Sequence, residues 1–164
     1  MIFNRFTREC RRCVEAAVDE ARMLGHDSVG DEDLLLGILS ADEGIGAEAL
    51  SASGVTLDAA RQESEAMLSE ALSSVGVSLE EVRREVGKTF DMRIPRGRRV
   101  PFSPRAKNAL ERALREAVRF RNGHIGTEHV LLGILRNEDG TAVRMLAHMG
   151  VSSEALEDLL CEAR

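Results

Sequence analysis

Two polar triplets, 96 residues apart, carry the side chains of this sequence that are best placed for chemistry. Asp31-Glu32-Asp33 lies in SVGDEDLLLGIL, and Thr127-Glu128-His129 lies in HIGTEHVLLGIL. An apolar run follows each triplet at once, which places the triplet at a helix N-terminus, where free amides can meet a ligand. Alternatively, the acids only interact favourably with the helix dipole. Both interpretations are compatible with the sequence.

Motifs for catalysis, metal binding or a cofactor are missing. The chain has neither a G-x-x-x-x-G-K-[ST] nucleotide loop nor an H-E-x-x-H zinc motif. Cys10-Arg11-Arg12-Cys13 is a C-x-x-C without a second pair, and it lies within a predicted helix. We therefore interpret both cysteines as small buried residues. The prediction is a protein that is not an enzyme, with no catalytic residues, no metal and no cofactor.

Composition narrows the class of protein. The chain has 164 residues, is 43% hydrophobic, and has only three cysteines. Its N-terminus is charged, and no stretch approaches the roughly 18 apolar residues of a membrane span. We therefore predict a cytoplasmic protein that does not enter a membrane.

The net charge of −6 is uneven, with −10 in residues 1–92 and +4 in residues 93–164. This asymmetry could steer partners, although we favour the simpler interpretation of solvated helix faces of opposite sign.

The sequence repeats itself. Residues 6–55 align with residues 102–151 at an offset of 96 without a gap, and 16 of the 50 positions are identical. A self-similarity of this length indicates a duplicated structural unit. We assign repeat one to residues 5–61 and repeat two to residues 102–164, within one domain over residues 1–164.

Each repeat has the sequence features of four helices. Thr7 and Ser103 are N-cap candidates, and Pro104 follows at the first helical position. Asp31 and Thr127 are expected to cap the second helix, whose LLLGIL or VLLGIL core is apolar almost all round and should be buried. No strand pattern is present. The predicted fold is all-α, with two pseudo-twofold-related four-helix repeats packed as one unit.

An insert separates the repeats. LSASGVTLDAAR at 50–61 resembles LSSVGVSLEEVR at 72–83, which predicts an extra helical hairpin over residues 62–90 with Ser78 as a cap. Residues 91–101 are predicted to be a linker. Its arginines would suit nucleic acid, but the chain is acidic overall, so we prefer a solvated linker. These arginines are Arg93, Arg96, Arg98 and Arg99.

These elements resemble the N-terminal domain of the Clp/Hsp100 unfoldases, the ClpC type most of all. VPFSPRAKNALERALREA, NGHIGTEHVLLGIL and EDGTAVRMLAHMGV are similar to that family in repeat two, and NRFTRECRRCVEAAVDEARMLGH is similar to its opening. The resemblance covers nearly the whole chain except roughly residues 62–83. Unfoldases of the ClpC type continue into two AAA+ ATPase modules. None is present in this sequence, so we expect a stand-alone protein rather than a fragment of a longer one.

The resemblance implies a non-catalytic adaptor or substrate receptor in Clp-dependent proteolysis, whose partners are a ClpC-type unfoldase, its substrates or its adaptors. In ClpC the N-domain can recognise phosphoarginine, and the resemblance implies one such ligand set in each repeat. The phosphate would meet the helix starts at Thr7 and Ser103, with Thr127 as a nearby hydroxyl. Glu32 and Glu128 would pair with the guanidinium. Because three adjacent acids in repeat one would repel a phosphate, we expect the Glu128 set to bind better.

The resemblance also implies a second surface, for a partner or a peptide. Its residues are Phe3, Arg11, Phe102, Lys107 and Glu111. In actinobacterial relatives of ClpC, the corresponding region is a target of cyclic-peptide antibiotics. The alternative is that Phe3 and Phe102 belong to the core, as we expect for Phe6. An alternative function follows, in which the protein is a decoy that sequesters cyclic-peptide antibiotics or adaptors away from ClpC. A role in binding nucleic acid through the arginine linker is a third hypothesis.

Overall fold

A computed structural model describes residues 2–89 and 99–163 of the chain. A short 3-10 helix over Ile2–Arg5 is followed, in these residues, by nine α-helices. Their bounds are α1 Arg8–Met23, α2 Asp31–Ala41, α3 Gly44–Ala52, α4 Leu57–Ser74, α5 Leu79–Thr89, α6 Pro104–Arg119, α7 Thr127–Leu135, α8 Thr141–His148 and α9 Ser153–Glu162. The predicted linker arginines Arg93, Arg96 and Arg98 lie outside the described residues.

The prediction of an all-α fold built from two four-helix repeats is confirmed. Helices α1–α4 form repeat one, α6–α9 form repeat two, and buried side chains from both repeats make one hydrophobic core. The LLLGIL and VLLGIL helices, α2 and α7, lie at its centre, with Leu35 and Leu131 fully buried. None of the described helices is long and apolar enough to cross a membrane.

Two glycines allow the central helices to approach their neighbours closely. A Cβ on Gly37 of α2 would lie 2.4 Å from the carbonyl oxygen of Cys13 in α1. At the equivalent position in repeat two, a Cβ on Gly133 would lie 2.2 Å from the carbonyl oxygen of Ala109. Real Cβ atoms do not approach backbone oxygen this closely, so only glycine fits. The repeated LLGIL motif therefore reflects helix packing.

The extra hairpin between the repeats is made by the second half of α4 together with α5. Its first arm continues the fourth helix of repeat one without a break, because α4 runs unbroken through the predicted boundary after residue 61. The predicted cap is present, since the Ser78 hydroxyl accepts a hydrogen bond from the Glu81 N–H at 3.4 Å. Arg83 of α5 forms an ion pair with Glu65 of α4 at 2.6 Å.

The hairpin is attached to both repeats through α4. Arg61 donates two hydrogen bonds to the buried carboxylate of Glu20 in α1. Two residues further along α4, Glu63 lies 2.7 Å from the imidazole of His148 at the end of α8. In repeat two the equivalent buried acid, Glu116, is paired with Arg136 at 3.0 Å instead. These contacts fix the position of α4 relative to both repeats.

Candidate functional site

The segments that lead into the helices cross from one repeat to the other. Phe6 forms a parallel bridge with Ile125, and Val29 forms one with Phe102. The Thr7 N–H donates to the carbonyl oxygen of Ile125 at 2.9 Å, and the Ser103 N–H donates to that of Val29 at 2.9 Å. The start of α1 therefore lies beside the start of α7, and the start of α6 lies beside the start of α2.

This crossing groups the predicted ligand residues differently from the expectation of one set in each repeat. Ser103 and Glu32 line the same cleft, although they belong to different repeats. Glu128 lies near the first turn of α1, where its charge acts on Cys10, three residues after Thr7. The expected grouping by repeat is therefore wrong, and each set combines a helix start from one repeat with a carboxylate from the other.

We call the first of these sets the Ser103–Glu32 cleft, and its lining includes Arg105 and Thr141 as well. Its volume is about 400 Å³. The Ser103 hydroxyl caps α6 by accepting from the Ala106 N–H at 3.1 Å. The guanidinium of Arg105 lies 3.4 Å from the hydroxyl of Thr141, the first residue of α8. A helix start, a hydroxyl and a guanidinium thus lie opposite a carboxylate, which suits a ligand that carries both charges.

The side chain of Glu32 folds back over the start of its own helix. A Cβ on Gly30 would lie 2.3 Å from Oε2 of Glu32, and one on Gly126 would lie 2.2 Å from Oε2 of Glu128. The absence of side chains at Gly30 and Gly126 therefore makes room for both carboxylates. Burial, and after it the charge of Asp33, raises the pKa of Glu32 to about 7. A cationic ligand would offset this penalty by pairing with the ionised carboxylate.

The first residue of each triplet has a role that the sequence did not indicate. Gly30 and Gly126, rather than Asp31 and Thr127, are the N-caps of α2 and α7. The Asp31 carboxylate accepts from the Ala142 N–H at 3.0 Å, and the Thr127 hydroxyl accepts from the Gly46 N–H at 3.0 Å. Each side chain thus caps the third helix of the opposite repeat. Thr127 is only 1% exposed, so α3 would have to move before this hydroxyl could meet a ligand.

The third residue of each triplet closes the start of its own helix. Asp33 accepts a hydrogen bond from the Gly30 N–H at 2.9 Å, and Nδ1 of His129 accepts one from the Gly126 N–H at 2.9 Å. His26 contacts Asp33 at 3.0 Å in repeat one, and Asn122 contacts His129 at 2.9 Å at the same position in repeat two. The hydrogen bond with Asp33 raises the pKa of His26.

The pairing of His26 with Asp33 also bears on metal binding. His26, Glu32 and Asp33 have ligand atoms within 4.8 Å of one another, a spacing that could hold a metal ion. However, Asp33 already accepts from both His26 and the Gly30 N–H. The same network is built from an amide and an imidazole in repeat two, so hydrogen bonding within the fold accounts for the cluster.

The second predicted surface is only partly assembled. Phe3 is 40% exposed, and its ring lies 6.4 Å from that of Phe102 and 5.2 Å from that of Phe6. Phe6 is buried, as expected, whereas Phe102 is half-buried. The remaining members of the set lie exposed on α1 and α6: Arg11, Lys107 and Glu111. The structure thus brings the two phenylalanines together across the repeats.

Sequence reasoning missed Arg105 and Thr141. At the offset of 96, Arg105 corresponds to Glu9 and Thr141 corresponds to Ile45. A charge reversal between the two copies at a helix start is a signal that a comparison of the repeats could have found. The functional consequence of this charge reversal depends on which carboxylate lies near Arg105. Because the repeats cross, that carboxylate is Glu32.

The family described as the Clp repeat (R) N-terminal domain matches residues 5–71, 63–146 and 101–163. The chain is 33% identical over 152 residues to the negative regulator of genetic competence ClpC/MecB of Bacillus subtilis, covering 93% of this chain and 16% of that protein. It is 36% identical over 150 residues to a ClpA homologue of Cyanidium caldarium, described as an ATP-binding subunit of the ATP-dependent Clp protease, covering 92% of this chain and 15% of that protein. The chain thus spans about a sixth of the length of these relatives.

Solved structures show the same architecture. The N-terminal domain of the chaperone ClpD from Arabidopsis thaliana superposes with a TM-score of 0.74 at 27% identity, over 99% of both chains. The N-domain of ClpV from Vibrio cholerae superposes with a TM-score of 0.61 at 14% identity, over 98% of this chain and 87% of that one. The first likeness agrees with the family match, and the second shows the fold alone.

Proposed function

The chain belongs to the Clp repeat (R) N-terminal domain family, and we propose that it is a substrate receptor or adaptor that recognises phosphoarginine-marked proteins. It is related to the N-domains of ClpC and ClpA, which supports a Clp-associated protein-interaction module. In this role the protein presents marked clients to a ClpC-type unfoldase. It contributes binding and no catalytic step.

The observation that carries this proposal is the composition of the Ser103–Glu32 cleft. Phosphoarginine has a phosphate on a guanidinium, so it needs an anion site next to a carboxylate. The start of α6, with the Arg105 guanidinium nearby, supplies the anion site, and Glu32 supplies the carboxylate. The α6 helix has 16 residues, long enough for its dipole to favour an anion at its N-terminus.

The crossing of the repeats reverses our expectation about which set binds better. Two of the three acids in repeat one have partners inside the fold, since Asp31 caps α8 and Asp33 pairs with His26. Asp31 and Glu32 both line the cleft, but the Asp31 carboxylate is engaged by the Ala142 N–H, so Glu32 is the acid left to pair with a ligand. At the other helix start, Glu9 takes the place of Arg105 and would repel a phosphate at Thr7. We therefore expect the Ser103–Glu32 cleft to be the stronger site.

Titration calorimetry with free phosphoarginine tests the proposal. The variants are Glu32→Ala and Glu128→Ala, which remove the equivalent carboxylate from each set. We expect wild-type protein to bind and Glu32→Ala to lose at least about tenfold in affinity, because a charge-assisted hydrogen bond to the guanidinium is lost. Glu128→Ala is the matched control and should bind nearly as well as wild type. Circular dichroism should show that both variants keep their helix content.

The results that contradict the proposal differ in meaning. If wild type gives no heat at millimolar phosphoarginine, the proposal of a phosphoarginine receptor is wrong. If Glu128→Ala loses binding and Glu32→Ala keeps it, the receptor remains but the assignment of the stronger site is wrong. Arg105→Glu, which copies the charge of Glu9, should weaken binding of phosphoarginine in parallel with Glu32→Ala.

The decoy is a second candidate function, and the exposed ring of Phe3 beside Phe102 supports it. An aromatic pair of this kind offers an apolar contact for a cyclic peptide. Titration with a cyclic-peptide antibiotic that targets ClpC should then show binding that Phe3→Ala weakens and Glu32→Ala leaves unchanged. Binding that is indifferent to Phe3→Ala would exclude this surface as the decoy site.

A further inference from the structure

We propose that a second groove, adjoining the Ser103–Glu32 cleft, binds an aliphatic side chain next to the arginine in a client peptide and so gives the receptor a sequence preference. This inference rests on the proposed function, because it places the arginine itself at Glu32. We call this groove the flanking groove. Its lining includes Leu24, Glu32, Met67, Leu68, Thr141 and Arg144.

The two cavities are continuous at the residues they share. Glu32 and Thr141 line both the Ser103–Glu32 cleft and the flanking groove. An arginine whose guanidinium lies at Glu32 therefore reaches the boundary between them. Neighbouring residues of a bound peptide lie only about 3.8 Å apart at their Cα atoms, and where the peptide bends at the arginine their side chains lie on the same face. The side chain next to the arginine is thus within reach of the flanking groove.

The surface of the flanking groove is suited to an aliphatic side chain. Leu68 is 46% exposed and presents apolar surface to the groove that it lines. Met67 and Leu24 are half-buried beside it. The volume of the groove, about 250 Å³, is below that of a typical small-molecule pocket. It matches one side chain better than a whole ligand.

The charged residues that line the flanking groove favour a basic peptide over a purely apolar one. Glu32 places a partly buried carboxylate at one end of the groove. Arg144 borders the groove and is exposed, so its N–H groups are available to carbonyl oxygens of a bound backbone. Arg83 is already paired with Glu65 and stays as part of the wall. A peptide with an aliphatic residue beside an arginine complements this arrangement.

The hairpin between the repeats supplies one wall of the flanking groove. Met67 and Leu68 lie in the second half of α4, and Arg83 lies in α5. The contacts of Arg61 with Glu20 and of Glu63 with His148 hold the first half of α4 against both repeats, just before Met67 and Leu68. A wall fixed in this way can discriminate between side chains. The inference therefore assigns the hairpin a role in choosing clients.

Fluorescence anisotropy with short labelled peptides tests the inference. The peptides carry Leu-phosphoarginine or Ser-phosphoarginine in an otherwise identical Gly/Ser sequence, and a second pair carries unmodified arginine. Leu68→Gln removes the apolar contact at an exposed position. Val75→Gln is the matched control, because Val75 is 72% exposed at the end of α4 and does not line the groove. Free phosphoarginine is titrated in parallel.

We expect wild type and Val75→Gln to bind the leucine peptide about tenfold more tightly than the serine peptide, the effect of burying much of one leucine. Leu68→Gln should bind both peptides equally, with unchanged affinity for free phosphoarginine. Equal binding of both peptides by wild type, or a preference that survives Leu68→Gln, would overturn the flanking groove while the receptor function stands. A concentration-dependent dimer that Leu68→Gln dissociates would overturn it too, because a second copy would then cover Leu68.

The unmodified pair separates this inference from the proposed function. If wild type binds the unmodified leucine–arginine peptide through Leu68 and ignores phosphoarginine, the flanking groove is supported and phosphoarginine recognition is wrong. If no arginine peptide binds in either form, both proposals fail together.

Discussion

Asp31 and Thr127 occupy the same position in the two repeats, and each caps a helix in the repeat to which it does not belong. Asp31 accepts from the Ala142 N–H, Thr127 accepts from the Gly46 N–H, and the two acceptor–donor pairs are related by the same offset of 96. The capped helices, α8 and α3, pack on α2 and α7 respectively. Stability of either third helix therefore depends on the other repeat.

Loss of one cross-repeat cap should destabilise the whole protein. Asp31→Ala leaves the buried Ala142 N–H without its acceptor, and we expect a loss of about 1–2 kcal/mol in the free energy of unfolding. Asp31→Thr installs the side chain of repeat two and should recover part of that loss. Urea denaturation followed by circular dichroism measures both. A normal unfolding midpoint for Asp31→Ala would show that the cap contributes nothing.

Stability should fall as pH rises, because two groups bind a proton more tightly in the folded state. Glu32 has a folded pKa of about 7, above its ordinary value of 4.5, so its contribution is fully present below about pH 4.5 and is lost as pH approaches 7. The raised pKa of His26 acts in the same direction, with a contribution present below about pH 6.5 and lost above its folded pKa.

Urea midpoints between about pH 4.5 and pH 9 check this dependence. Glu32→Gln should flatten the lower part of the profile, and His26→Asn, which copies Asn122 of repeat two, should flatten the upper part. Acid unfolding of carboxylates elsewhere sets the lower limit of the usable range. Stability that rises across this window in wild type would contradict both assignments.

Affinity for phosphoarginine should respond to pH in the opposite sense. In the proposed complex the guanidinium pairs with the ionised form of Glu32, so binding should weaken as pH falls below about 7 and the carboxylate takes up its proton. Calorimetry at several pH values measures the effect, and proton release on binding can be read from buffers of different ionisation enthalpy. An affinity that does not change across this range in wild type would place the guanidinium elsewhere.

Because α7 packs so closely on α6, adding one methyl group between them should lower the stability of the protein substantially. Gly133→Ala puts a Cβ against the Ala109 carbonyl oxygen, and the helices must separate, with a loss of about 1–3 kcal/mol in stability. Gly123→Ala is the matched control, because no atom lies within 4 Å of its added Cβ. Thermal unfolding should separate the two variants clearly. Equal melting temperatures would show that the helices adjust without strain.

The ion pair of Arg61 with Glu20 should contribute more to the stability of the protein than an exposed ion pair does. Arg61→Ala leaves the carboxylate of Glu20, which is 2% exposed, without its partner, and we expect a loss of about 2–3 kcal/mol. Arg83→Ala breaks the exposed pair with Glu65 and should change stability by less than about 1 kcal/mol. Urea denaturation compares the two variants, and similar losses would argue against a special role for Arg61.

Most of the fold follows from the sequence, because helix caps, glycine positions and an aliphatic stripe repeat at a constant offset. Thr7 and Ser103 cap α1 and α6 as predicted. The caps of α2 and α7 could not be assigned this way. Asp31 and Thr127 look like N-caps of their own helices in the sequence, but in the fold their side chains cap α8 and α3. Local propensity carries no information about a helix more than 80 residues away.

The candidate site was predicted as residues but not as a grouping. Glu32 and Ser103 were each identified, yet their proximity depends on an isolated parallel bridge between Val29 and Phe102, and a single bridge is too short to leave a sequence pattern. The flanking groove was not predicted either. Leu68 has an ordinary helical position in the sequence, and only the placement of α4 against the repeats shows that it borders Glu32.

The crossed bridges bear on how such a molecule could have originated. Each bridge at the helix starts joins one residue from each repeat, and each repeat caps one helix of the other. An isolated repeat would therefore leave the Gly46 or Ala142 amide without its acceptor. Two separate copies related by the same twofold axis could close all these contacts, as in an isologous homodimer. Duplication within one chain then replaces a bimolecular association by an intramolecular one. It also allows the two copies to diverge, as they have at the equivalent positions of Arg105 and Glu9, which lie at the two proposed ligand sites.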